Sequence, residues 1–168
     1  MNRCRPPAPG AAQSQAERYQ AWLHREIPLT ADIGVELREL EPLRIVASAP
    51  LAPNHNVHYT AFAGSLYALA IVTGWTLVLR YLESQEIDAD LVTRDGTIRY
   101  LEPVEGELVC RGTLDDPAAL DRFHERLDAD GRSRLCVNVE LTHPDGHAVA
   151  TLDAVYTAVL LKPGKQGG

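Results

Sequence analysis

The sequence is poor in the signals that mark nucleotide, metal or serine chemistry. It has no G-x-G-x-x-G and no phosphate-binding loop, and Gly64-Ser65-Leu66 is not the G-x-S-x-G of a nucleophile elbow. Its three cysteines, Cys4, Cys110 and Cys136, are odd in number, far apart and without a C-x-x-C pair. That spacing argues against zinc and dithiol redox chemistry and fits a reducing, cytoplasmic compartment. Cys110 and Cys136 read as small buried hydrophobes. Basic charge is also short. Against 23 Asp and Glu stand 16 Lys and Arg, a net charge of −7. No nucleic-acid partner is expected from such a balance, and an anionic substrate must be held by local groups. The first residues, MNRCRPPAPGAAQSQ, lack the apolar run of a signal peptide.

Charge is also missing from the most apolar stretch of the chain. From Phe62 to Leu79, 18 residues carry none. A run of this length is either a membrane span or a helix wrapped by protein. It stands alone, contains Ser65, Tyr67, Thr73, Gly74 and Thr76, and precedes strongly β sequence. It therefore reads as a core helix, with no membrane span expected. The polar loop NHNVHYT, Asn54 to Thr60, leads into it.

What is present suits one domain: 168 residues, 45% hydrophobic and 23% charged. Residues 1–14 and 162–168 read as disordered tails and 15–161 as the folded part. Ala16, Tyr19, Trp22, Leu23 and Ile27 share a helix face, with Ser14 as N-cap and Pro28 as the stop. Residues 33–40 and 43–50 read as two strands of a hairpin around Glu41-Pro42. Beyond the long helix, 91–101 and 107–114 read as strands, with Gly96 inside the first marking a bulge or a close approach. Asp116-Pro117 opens a short helix to Leu127, and 132–142 and 147–161 are long strands around the turn His143 to His147. The order predicts an α+β fold, an antiparallel sheet with one long helix packed on it.

Four stretches, WLHREIP (22–28), APLAPNHNVHYTAFAGSLYALA (49–70), TGW (73–75) and IRYLEPV (98–104), follow one another in family-like spacing. Together they resemble the hotdog-fold thioesterases, and most closely the YiiD C-terminal type, over residues 19–161. The resemblance implies a hotdog fold and a homodimer, or a dimer of dimers, whose sheets join edge to edge with active sites at the interface. It implies hydrolysis of acyl-CoA or acyl-carrier-protein thioesters. No cofactor and no metal is expected.

Thioester hydrolysis needs a group that polarises the carbonyl and one that activates water. Ala63 and Gly64 open the long helix, where unpaired backbone N–H groups and the positive end of the helix dipole can hold a developing oxyanion. Close helix–sheet packing would also call for small residues there. Asn56, seven residues before Ala63, matches a loop Asn that orients substrate or water in related enzymes. Asn54 and Asn56 are turn formers as well. His55 and His58 flank Asn56, and one of them can face the site; His58 is a second candidate for activating water. Asn54, His55, Phe62, Tyr67 and Thr73 are the candidate substrate contacts, the last two being equally suited to the core. Related enzymes carry a carboxylate about two turns into the helix. Here that place falls near Ile71, and no carboxylate comes before Glu83. Asp95, beside Gly96, is the expected substitute: a partly buried base delivered to the partner subunit's helix start, or else an exposed residue paired with Arg94 or Arg99. Arg80, Arg94, Arg99 and Arg132 are the candidates to meet substrate phosphates.

Overall fold

The computed structural model describes residues 5–8 and 13–161. Helix α1 spans Gln15–Glu26 and α2 Leu29–Asp32; strands β1 and β2 cover Glu36–Glu41 and Arg44–Ala49. A 3₁₀ turn at Ala52–Asn54 precedes α3, Ala63–Ser84. Then follow β3 (Ala89–Tyr100), β4 (Leu108–Thr113), α4 (Pro117–Asp130), β5 (Arg132–Thr142) and β6 (Ala148–Leu160).

The boundaries have local causes. Ser14 and Glu17 form a capping box at the start of α1. Asp116 accepts from the Ala119 N–H at the start of α4, and Gly131, at φ 67°, closes that helix in the left-handed region. The strand expected from Ile33 begins instead at Glu36. Residues after Pro28 take one more helical turn, and Gly34, at φ 71°, redirects the chain.

The six strands form one antiparallel sheet in the order β1-β2-β4-β5-β6-β3. Helix α3 crosses its inner face and touches all six strands. This is the hotdog fold. Leu69, Ala70, Leu77, Val78 and Leu82 of α3 are buried against the sheet. Each of the larger ones contributes roughly 2 kcal/mol by leaving water. In its most apolar 18-residue window, 72% of α3 is buried inside the protein, which accounts for its lack of charge. The buried hydroxyls of Thr73 and Thr76 donate to Leu69 O and Val72 O, both at 2.7 Å, so neither is left unpaired.

One contact between α3 and the sheet is tight. A Cβ on Gly74 would lie 2.5 Å from Tyr156 Oη. That hydroxyl is pinned by donating to Ile71 O at 2.8 Å, and Tyr156 is fully buried. Gly74→Ala should therefore destabilise the protein by about 1–3 kcal/mol, as overpacked cores do. Thermal denaturation should show the loss, and an unchanged midpoint would mean that the helix can slide.

The middle and C-terminal end of α3 are fastened by three separate contacts. Trp22 of α1 stacks on Trp75, with centroids 5.8 Å apart. Tyr81 Oη meets His124 Nε2 of α4 at 2.7 Å. Arg18, itself buried, pairs with Glu83 at 2.6 Å. Within the segment expected to be a disordered tail, Arg5 donates to Ile87 O and Pro7 O accepts from Arg18. The rest of the N-terminal tail up to residue 12, Cys4 included, and 162–168 lie outside the described residues. Cys110 is the buried hydrophobe expected, its thiol pushed up to about 12 by burial. Cys136 is a correction. It is exposed, because the even-numbered residues of β5 point away from α3.

Candidate active site

The first turn of α3 is open. Phe62 precedes it in an extended conformation (φ −69°, ψ 131°) and supplies no side-chain cap. Its carbonyl accepts from both Ser65 N (3.0 Å) and Leu66 N (3.1 Å). The N–H groups of Ala63 and Gly64 are left without an acceptor among the described residues, and both residues are exposed. Two unpaired donors at the positive end of a 22-residue helix favour negative charge in front of them. Gly64 is small for a packing reason too. A Cβ there would sit 2.3 Å from Phe62 Cε1, so the Phe62 ring lies over the helix start.

The loop before the helix is shaped by its two asparagines. Asn56 donates from Nδ2 to Thr60 Oγ1 (2.9 Å) and Ala61 O (3.3 Å), and its Oδ1 accepts from His58 N (2.8 Å). Tyr59, at φ 60°, makes the tight turn that these bonds close. The Asn56 carboxamide thus builds the loop as well as lining the cavity in front of it. Asn54 is 1% exposed and braces the loop from beneath, donating to Ile33 O (2.8 Å) and Pro50 O (2.7 Å). Its own carbonyl accepts from Phe62 N at 2.7 Å and so holds the helix start. Asn54 was expected to contact substrate; burial places it behind the site. His55 and His58 are exposed, and His55 stacks on Tyr59 with centroids 5.3 Å apart.

In front of the helix start is a cavity of about 330 Å³, lined by Asn56, Thr60, Ala63, Leu66, Tyr100 and Glu102 among others. Tyr100 Oη donates to Ala63 O at 2.9 Å, which ties the end of β3 to the first turn of α3. Burial, and then the nearby Tyr67, raise the Tyr100 phenol above its ordinary value. The Glu102 carboxylate meets His147 Nε2 at 3.1 Å. Glu102 had been read only as part of a turn. The usable signal was its position two residues after Tyr100, which lets both side chains reach the same side of the chain.

Two expected site residues, Asp95 and Thr73, are not brought together with these. Asp95 is exposed and points away from α3. In β3, Thr93 pairs with Tyr156, but Asp95 pairs with Val155 and Gly96 with Ala154; the register shifts at the extra residue Arg94. Tyr156 and Ala154 face the core, whereas Val155 faces out. The bulge therefore turns Asp95 outward and puts Gly96 inward, against Tyr67 Oη and Ile71 Cδ1. Within its own chain Asp95 thus lies on the face of the sheet opposite α3. Asp95 lines an outer groove with Asn138 and Asp153 instead. Thr73 is fully buried between α3 and the sheet, not open to substrate. Tyr67 is half-buried on the same helix face as Gly64, and Ile71 lies one turn further. That face leads to an apolar groove of about 230 Å³ between Ile27, Leu29, Ile71 and Trp75. Of the arginines, Arg80 lies about 25 Å along the helix axis from Ala63 and pairs with Glu83, and Arg99 pairs with Asp153 on the outer face.

A helix crossing a curved sheet, with an open first turn beneath an Asn-rich loop, can be compared with known proteins. The family described as "Putative thioesterase (yiiD_Cterm)" matches residues 16–159. This chain belongs to that family. Among solved structures, a "putative thioesterase" from Shewanella oneidensis is 31% identical, with a TM-score of 0.74 over 86% of this chain and 96% of that one. A Chlorobaculum tepidum protein of unknown function superposes at 0.80 with 21% identity, over 87% of this chain and 94% of that chain. A Pseudomonas aeruginosa protein described as "Probable Thioesterase" does so at 0.77 with 22% identity, over 90% and 100%. Among its described residues the chain has no cluster of three or more His, Cys, Asp or Glu able to hold a metal.

Proposed function

We propose that this chain hydrolyses an acyl thioester, carried by coenzyme A or an acyl-carrier protein, to the free acid and thiol. The observation that carries the reading is the pair of unpaired N–H groups at Ala63 and Gly64, the first of which lines a cavity, in a member of a thioesterase family. Their task is to hold the carbonyl oxygen as it becomes an oxyanion; such donors act on the transition state more than on the substrate. Asn56 keeps the loop in place so that substrate and water meet those amides, with His58 beside it. Phe62 and Tyr67 contact the acyl group, which runs along the Ile71 face toward the apolar groove.

A homodimer completes the site in this reading. Among the described residues, the edge of β3 away from β6 has no neighbouring strand. Beside it Val57, Tyr59, Phe62 and Leu101 are exposed at 87%, 76%, 55% and 55%. An unpaired edge next to exposed apolar side chains favours strand pairing with a second copy.

A panel of short, medium, branched and aromatic acyl-CoAs, followed by thiol release, tests the proposal. Turnover is expected for at least one apolar acyl group. Tight binding with no thiol released from any member would replace it with a non-hydrolytic acyl carrier. A changed acyl group with the thioester intact would indicate a lyase or dehydratase instead.

A further inference from the structure

We infer that Glu102 is the general base of this site and that His147 positions it. The inference rests on the hydrolase reading above and supplies what Ile71 and Asp95 do not. Glu102 is the one carboxylate among the residues lining the cavity at the helix start. Its placement is fixed from both sides. Tyr100, two residues before it, donates to Ala63 O at 2.9 Å. Val104, two residues after it, accepts from Ala61 N at 2.8 Å. The segment 100–104 is thereby stitched at both ends to residues 61–63, which carry one of the exposed amides. Two residues span at most roughly 7 Å, so Glu102 is held within reach of that turn through a single water.

The carboxylate is also oriented. His147 Nε2 lies 3.1 Å from Glu102 Oε2. His147 is itself steadied by its N–H, which donates to Asp145 Oδ1 at 3.0 Å, and by stacking with His143. One carboxylate oxygen is engaged by His147, and the other remains for water. In the reaction, Glu102 takes a proton from water as the water oxygen bonds to the thioester carbon. The carbonyl electrons move onto oxygen, held by the Ala63 and Gly64 N–H groups. They return as the carbon–sulfur bond breaks, and the proton on Glu102 passes to the departing sulfur. The products are acid and thiol, and the carboxylate is regenerated.

The test is steady-state kinetics on the acyl-CoA that the wild-type protein turns over fastest. Glu102→Gln keeps the shape of the side chain and removes its proton affinity. It is expected to lower kcat by about 10²-fold or more, the usual size of general-base catalysis, with KM changed less than about threefold. Glu102→Asp should recover part of kcat. His147→Ala should lower kcat by a smaller factor, with KM again held and with His147→Gln recovering more of it. Turnover by Glu102→Gln at the wild-type rate would overturn the assignment while leaving the hydrolase reading intact. Absence of thiol release by the wild-type protein across the whole panel would overturn both.

Discussion

Ala63→Pro should lower kcat for thioester hydrolysis by about 10²–10³-fold and leave the fold intact. Proline removes one N–H and nothing else of consequence at this position. It is well tolerated as the first residue of a helix, where the missing N–H has no helical partner anyway. It also requires an extended residue before it, and Phe62 already has φ −69° and ψ 131°. The Ala63 side chain is exposed at the edge of the cavity, where the ring adds two carbons and displaces no packed neighbour. Loss of a single oxyanion donor costs about 3–4 kcal/mol of transition-state stabilisation in enzymes that depend on one. The matching control is far-UV circular dichroism with thermal denaturation, which should show a midpoint within a few degrees of wild type. If the variant folds and keeps its kcat, the Ala63 amide does not hold the oxyanion, and Gly64 must act alone or the site lies elsewhere.

Glu83→Ala should be the most destabilising single change on the far end of the same helix. Glu83 accepts from Arg18 at 2.6 Å and from Tyr19 Oη at 2.8 Å, and Arg80 lies 3.5 Å away. Arg18 is 3% exposed and Tyr19 fully buried. Removing the carboxylate leaves a buried guanidinium without its counter-charge and a buried phenol without an acceptor. The cost is about 3–5 kcal/mol, or a melting point lower by roughly 6–20 °C for a chain of this size. The effect depends on pH with a definite sign. Burial raises the Glu83 pKa, but the bonds from Arg18 and Tyr19 and the charge of Arg80 together outweigh it, and the net shift is downward. A depressed carboxylate gives its full stabilisation above its ordinary value of 4.5 and loses it as pH falls through the folded-state value. The gap in stability between wild type and Glu83→Ala should therefore be widest at neutral pH and narrow in acid. Denaturant melts at pH 7 and pH 4 measure it, and a gap that stays constant would show that the Glu83 charge is not what Arg18 needs.

The elements of the fold were readable because each rested on a local rule. The uncharged run marked the helix that touches all six strands. Ser14 and Asp116 marked helix starts through their caps. The site was less readable, and the residues show why. Ala63 and Gly64 follow from the helix start, a property of sequence neighbours. Asp95 failed because a strand is read by alternation, and alternation from Leu91 and Thr93 puts residue 95 inside. One unpaired residue at Arg94 reverses the count. Glu102 was missed for the opposite reason. Its place depends on bonds to Ala63, Ala61 and His147, which are 37, 43 and 45 positions from their partners, and no local pattern encodes them. Asn54 and Asn56 are the same residue type two positions apart, yet one is a brace behind the loop and the other lines the cavity.

The bulge in β3 has a reach beyond its own position. All of β3 from Asp95 onward owes its facing to that one inserted residue, including Gly96, Ile98 and Tyr100. Gly96 gives Tyr67 and Ile71 room to cross the strand, and Tyr100 binds the helix start. Counted without the insertion, the same letters would turn Asp95, Thr97 and Arg99 toward α3, a polar row in place of glycine, isoleucine and tyrosine. Whether this edge offers the acyl group grease or charge is decided by the parity of a single stretch of chain.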